Sequence, residues 1–143
     1  MATQVKSTIK HTVTDLSEFV SPGTELLGVN IPKNYNSTNT IANCYISSNQ
    51  INTSKLAGVL EQQKNTYIFG DLNSKLDIPE HDTTNPNGDK LQTSIDSGDI
   101  TAIYPSTYTR IDPGPTNSSA ILDYVLTNEE KYDPLHQFTQ RRT

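Results

Sequence analysis

Residues 66–73 read Thr66-Tyr67-Ile68-Phe69-Gly70-Asp71-Leu72-Asn73. An apolar run ends in a glycine, an acid follows at once, and an amide comes two positions later. The run has the length and composition of a buried strand. Residues i and i+2 of an extended chain point the same way, so the strand is expected to deliver Asp71 and Asn73 side by side to a sheet edge. A carboxylate that accepts a proton and a carboxamide that binds an anionic oxygen suit hydrolysis of a phosphodiester. The same Gly-Asp-x-Asn string is also ordinary turn chemistry after a strand. A calcium loop does not fit: Asp71, Asn73 and Asp77 fall at positions 1, 3 and 7, but Lys75, Leu76 and Asp82 occupy positions 5, 6 and 12.

Working back from this strand, Leu56, Val59 and Leu60 repeat at helical spacing and predict a helix over 53–63, capped by Thr53 or Ser54. Three β-prone segments precede it, at 5–14, 25–31 and 40–46, and are expected to be consecutive antiparallel strands. Pro32 is expected to stop the second, and 34–39 to form a polar loop. Working forward, 74–89 reads as a long polar loop with Pro79, Pro86 and Asn87-Gly88. A short helix is expected over 89–97, a short strand over 100–104 and a β-prone piece over 107–111. Ala120 to Leu126 is a second apolar run, interrupted by Asp123. A carboxylate buried there needs a partner, in a hydrolase often a histidine whose ring it orients. Alternation would instead turn it to solvent. Residues 128–143 carry charge and little periodicity and read as a tail.

The 143 residues suffice for one domain. Only 32% are hydrophobic, and about a third are Asn, Ser or Thr, so the core must be small. The net charge of -5 and the scattered Lys and Arg argue against tight nucleic-acid binding by charge alone. They do not exclude a site where a metal supplies positive charge. Cys44 is alone, which rules out an intrachain disulfide or a cysteine zinc cluster. His11, His81 and His136 are dispersed and lack metal-ligand spacing. Residues 1–20 show no signal peptide and no stretch is long enough to span a membrane, so an intracellular location is the default. Tyr45 and Thr109 carry hydroxyls late in predicted strands; alone, each reads as ordinary strand chemistry.

In order, these pieces resemble the endonuclease/exonuclease/phosphatase superfamily, the group of DNase I and the abasic-site endonucleases. The nearer resemblance is to the endonuclease domain of non-LTR retrotransposons of the jockey-like kind. Gly70-Asp71-Leu72-Asn73 matches the Gly-Asp-Phe/Leu-Asn motif, and Asn43-Cys44-Tyr45 resembles the upstream Asn-x-Tyr segment. Asn87-Gly88-Asp89-Lys90-Leu91 resembles the Asn-x-x-Gly-x-x-Leu loop, shortened by one residue. Tyr108-Thr109 resembles the Tyr-Thr or Pro-Thr segment, and Ser118 to Thr127 resembles the Ser-x-x-Leu/Ile-Asp-x-Val-Leu block. Lys6 to His11 also resembles a segment upstream in these elements.

The resemblance implies an α/β, layered fold, part of a four-layered α/β/β/α sandwich of mostly antiparallel sheets. It covers residues 1–127 as a partial domain, with its core over 25–127 and a tail over 128–143. It implies that Asp71 orients or deprotonates the attacking water, that Asn73 holds the scissile phosphate, that Tyr45 and Thr109 bind phosphate oxygens, and that Asp123 orients a histidine. Mg²⁺, with Mn²⁺ as a substitute, would be the cofactor and DNA the partner, with no membrane and no organic cofactor; the nucleus is the place of action if genomic DNA is the target. Two parts of the family pattern are missing. No Glu in residues 1–40 has the context of the main metal ligand, which leaves the metal ligands unassigned, and no Ser-Asp-His closes the chain. Ala120 stands where many relatives carry Ser. The expectation is an incomplete domain, a monomer or an aggregation-prone fragment, with an inactive remnant or a phosphatase of the same superfamily as alternatives.

Overall fold

A computed structural model describes residues 1–62, 65–115 and 119–128. Among the described residues, six strands form one sheet, flanked on one face by two α-helices. The strands are β1 (Thr12–Thr14), β2 (Thr24–Asn34), β3 (Ser37–Ile46), β4 (Thr66–Asp71), β5 (Thr101–Ile103) and β6 (Asp123–Thr127). The helices are α1 (Thr53–Gln62) and α2 (Pro86–Asp96). The strand order is β1-β2-β3-β4-β6-β5. β1, β2 and β3 are antiparallel neighbours, as expected from their sequence. β3 and β4 are parallel and joined through α1, the crossover a parallel pair requires. β6 then returns antiparallel to β4.

Alternation sorts the faces. Ala42, Cys44 and Ile46 of β3, Ile68 of β4, and Tyr124 and Leu126 of β6 lie in one core with Leu56, Val59 and Leu60 of α1 and Leu91 of α2. The intervening residues, Asn43, Tyr45, Phe69, Asp71 and Asp123, therefore belong to the opposite face. Burial also pushes the Cys44 thiol up to about 12, so it is inert packing.

Several local expectations fail for identifiable reasons. Residues 5–11 are not strand: the Ile9 N–H turns back to Lys6 O, and β1 begins only at Thr12. β2 runs through Pro32. β1 pairs with β2 only up to Asn30, so Pro32 sits on an edge where its missing N–H leaves no gap in a ladder. β3 begins at Ser37, inside the expected loop. The α1 cap is neither Thr53 nor Ser54: Asn52 Oδ1 accepts the Lys55 N–H at 3.1 Å. α2 starts three residues early because Asn85 caps it and Pro86 occupies its first turn. The 107–111 segment forms only a bridge, Arg110 to Ala120. The expected tail beyond Asn128, with His136, and Ser118 of the motif block lie outside the described residues.

Two glycines are dictated by backbone approach. A Cβ on Gly70 would lie 1.8 Å from Cys44 O, and its φ is +148°. A Cβ on Gly88 would lie 1.9 Å from Lys75 O, where the loop after β4 crosses the start of α2.

Candidate functional site

The strand register builds a row. Tyr45 of β3 pairs with Asp71 of β4, and Asp71 pairs with Asp123 of β6. Residues opposite one another in a sheet share a face, so a phenol and two carboxylates stand side by side at one end of the sheet. Tyr45 is 41% exposed, Asp123 is exposed and Asp71 is half-buried.

Asn73 reaches this row by a different route from the one the sequence suggests. The chain is not extended beyond Asp71: Asn73 has φ +47°, in the left-handed region that Asn tolerates. Its backbone N–H donates to Asp71 Oδ1 at 2.9 Å, and its Nδ2 donates to Ile46 O at 2.7 Å. The loop thus clips Asn73 onto the end of β3, next to Tyr45. Its Oδ1 and second Nδ2 hydrogen remain to face a ligand.

Thr109 joins through the backbone of β6. Its Oγ1 accepts the Leu122 N–H at 2.9 Å and the Asp123 N–H at 3.2 Å. Both hydroxyl lone pairs are used, so its remaining capacity is to donate. A hydroxyl polarised by two amides and restricted to donation suits an anionic oxygen.

Burial raises the Asp71 carboxyl above its ordinary value. The Asn73 N–H opposes that shift, the Asp123 charge adds to it, and the Arg110 charge opposes it. Arg110 is a residue sequence reasoning missed. Its only sequence signal was its place directly after Thr109, which the bridge to Ala120 holds near the row.

Of the two readings the sequence leaves open for Asp123, the structure takes the solvent-facing one: β6 begins with it, at the exposed strand end. No described histidine serves it. His11 Nδ1 bonds Ile9 O, and both ring nitrogens of His81 are engaged elsewhere. Among the described residues no three His, Cys, Asp or Glu side chains converge as a metal site. The donors present, Asp71, Asp123 and Asn73 Oδ1, are hard oxygens. They fit Mg²⁺ in kind, since that ion is commonly held by one or two carboxylates, with waters and substrate phosphates completing the shell.

The loop behind the row is densely hydrogen-bonded. Asn85 Oδ1 accepts from Lys75 N at 2.9 Å and Gly88 N at 2.8 Å, and its Nδ2 donates to Asn73 O at 2.9 Å. Asn87 is 1% exposed; its Oδ1 accepts the Ile51 N–H, and its Nδ2 donates to Ser47 O and Leu72 O. The Asn-x-x-Gly-x-x-Leu spacing is therefore met in full by Asn85, Gly88 and Leu91, with no shortening.

A family described as endonuclease-reverse transcriptase matches residues 39–141. Among solved structures, the endonuclease domain of TRAS1, a telomere-specific non-LTR retrotransposon, is similar with a TM-score of 0.67 at 13% identity. The likeness covers 87% of this chain and 58% of that one. No curated protein matches. At that identity the likeness establishes the fold, and this chain spans just over half of the retrotransposon domain's length.

Proposed function

This chain belongs to the endonuclease-reverse transcriptase family, and from that premise we propose that it carries the water-activating and phosphate-binding part of a metal-dependent DNA phosphodiesterase site. The observation that carries the reading is the row Tyr45, Asp71, Asp123 on three adjacent strands, with Asn73 and Thr109 anchored at its two ends. In it, Tyr45, Asn73 and Thr109 donate to non-bridging oxygens of a phosphodiester. Asp71, whose carboxyl is raised by burial, accepts a proton from the attacking water more readily than an ordinary aspartate. Asp71, Asn73 Oδ1 and Asp123 would be the residues to hold Mg²⁺, which would supply Lewis-acid stabilisation of the charge developing at the phosphate. Arg110 offsets part of the same charge. An acidic protein can meet DNA this way because the cation, not the surface, provides the positive potential.

The thin metal shell favours slow turnover. With no third acid and no histidine at Asp123 among the described residues, the residues present bind better than they cleave. The chain should broaden amide signals at Asp71, Asn73 and Asp123 when titrated with Mn²⁺. Asp71→Asn should weaken that effect about tenfold, as expected for losing one of two carboxylate ligands. Broadening centred elsewhere, or none, rejects the site. Mg²⁺-dependent nicking of supercoiled plasmid is expected at or near the level of a control carrying Asp71→Ala and Asn73→Ala. Clear nicking abolished by that double substitution would show a fully competent enzyme instead of a binding half-site.

A further inference from the structure

His81 has no place in the chemistry above, yet it joins the two halves of the site. Its Nε2 lies 3.0 Å from Ile121 N, and its Nδ1 lies 2.9 Å from Leu76 O. A backbone N–H can only donate, so Nε2 presents its lone pair. Nδ1 must then carry the hydrogen and donate it to the Leu76 carbonyl. One neutral tautomer satisfies both bonds. The ring thereby ties the loop that follows Asp71 and Asn73 to a strip forty residues away in the sequence.

That strip is where the other half of the row is set. Ile121 precedes Leu122 and Asp123, whose N–H groups both converge on Thr109 Oγ1. The carbonyls of the strip have their own contacts: Tyr124 Oη lies 2.9 Å from Ile121 O, sharing its one hydrogen with Ser74 O at 2.6 Å, and Leu72 N donates to Leu122 O. His81 accepts the N–H of Ile121, which orients the peptide plane just ahead of the two amides that hold Thr109. We propose that His81 is a positioning residue: by accepting the Ile121 N–H it fixes the strip on which Thr109 and Asp123 are presented to the phosphodiester. The clause about the phosphodiester rests on the function proposed above; the fixing of the strip does not.

Two substitutions separate the acceptor from the bulk of the ring. In His81→Gln, Oε1 can take the place of Nε2 and accept from Ile121. In His81→Asn, Nδ2 can take the place of Nδ1 and donate to Leu76, but nothing reaches Ile121. Amide hydrogen exchange on the full chain should show Ile121, Leu122 and Asp123 exchanging about tenfold or more faster in His81→Asn, with His81→Gln within about threefold of wild type. Exchange at Ile68 and Leu91 should change in neither. Unchanged exchange at Leu122 and Asp123 in His81→Asn overturns the proposal. So does loss of protection there in His81→Gln, or a loss spread evenly over Ile68 and Leu91, because the ring would then act by volume alone. If His81→Asn does not fold, His81→Gln decides between these outcomes. A thymidine dinucleotide with Mn²⁺, titrated into the same proteins, should bind about tenfold more weakly to His81→Asn than to His81→Gln. Failure of wild type to bind it would reject the phosphodiesterase reading while leaving the exchange data to decide the role of His81.

Discussion

Asn73 and Asn87 lie in one loop-and-helix segment and are used in opposite ways. Asn87 is buried and spends its capacity inward, on Ile51 N, Ser47 O and Leu72 O. Asn73 is half-exposed and makes a single side-chain bond, to Ile46 O, keeping an acceptor and a donor free. The same contrast separates the two faces of the sheet. On the core face polar groups are few and paired; at the strand ends of the other face, Tyr45, Asp71, Thr109 and Asp123 keep polar capacity directed outward. A buried polar group with no spare capacity is scaffold, because leaving it unpaired is costly. One with spare capacity toward solvent can be exchanged for a ligand at little cost. Mutations should therefore split cleanly between those that unfold the chain and those that blunt its binding.

The largest effects belong to the scaffold glycines. Gly70→Ala and Gly88→Ala each place a methyl under 2 Å from a backbone carbonyl. Each is expected to cost roughly 4 kcal/mol or more, beyond the usual range for overpacking because the opposing atom is main chain. Loss of a cooperative thermal transition by circular dichroism is the expected result. A normal melt for Gly88→Ala would mean that the loop can move away from α2, and the claim of a densely hydrogen-bonded support behind the row would fail.

Asn87→Ala comes next. It strands the buried Ile51 N–H and takes one of two donors from the Ser47 and Leu72 carbonyls, which keep Gln50 N and Ser74 Oγ, at an expected cost of about 2–3 kcal/mol. Asn73→Ala removes the bond to Ile46 O and sets alanine at a left-handed φ that Asn tolerates better, with an expected cost of about 1–2 kcal/mol and a weakened Mn²⁺ signal. Urea melts of the two variants side by side test the contrast directly. Equal losses would erase the distinction between scaffold and site.

The sequence disclosed these two roles unequally. The strand expected over 66–70, the helix expected over 53–63 and the core positions Leu56, Val59 and Leu60 are legible because burial imposes a period, and the structure puts the two elements at Thr66–Asp71 and Thr53–Gln62. The row itself was legible only through motif order, since no local pattern places Tyr45 beside Asp71 across a parallel pair. The tight turn that gives Asn73 a positive φ is one of two readings that Gly-Asp-x-Asn allows, and nothing local to the string decides between it and an extended chain. Asn85-Pro86 sits inside the stretch that polarity marks as loop, yet it carries a helix signal of its own, a capping Asn followed by proline in the first turn. His81 could not be found from sequence, because its partners are main-chain atoms of Leu76 and Ile121.

Thr109 tests a residue that belongs to both classes. Its oxygen is scaffold, accepting from Leu122 and Asp123, and its hydrogen is offered outward. Thr109→Val removes both functions and should cost about 1–2 kcal/mol by leaving two amides unpaired. Thr109→Ser keeps the hydroxyl and should stay within about 0.5 kcal/mol of wild type. If valine is tolerated in urea melts, the amides find other partners and Thr109 is not what fixes the strip.

The smallest effect is the most diagnostic of a site that tolerates a cost for function. Burial and the neighbouring Asp123 raise the Asp71 carboxyl above its unfolded value, outweighing the Asn73 N–H and Arg110. Folding therefore favours the protonated acid. The folded state is relatively better off below the unfolded value, and that advantage is lost as the pH rises through the folded one. At neutral pH the ionised carboxylate is a modest burden on stability. Asp71→Asn removes the charge while Oδ1 can still accept the Asn73 N–H, so it should melt slightly higher than wild type at pH 7. The difference should shrink as the pH falls through the raised value and level off where Asp71 is protonated in both the folded and the unfolded chain. Melting temperatures of the two proteins across this range, set beside their Mn²⁺ titrations, should move in opposite directions at pH 7: stability up, metal binding down. A variant that loses both at pH 7 would place Asp71 with Asn87 among the scaffold, and the strand-end row would lose its central acid.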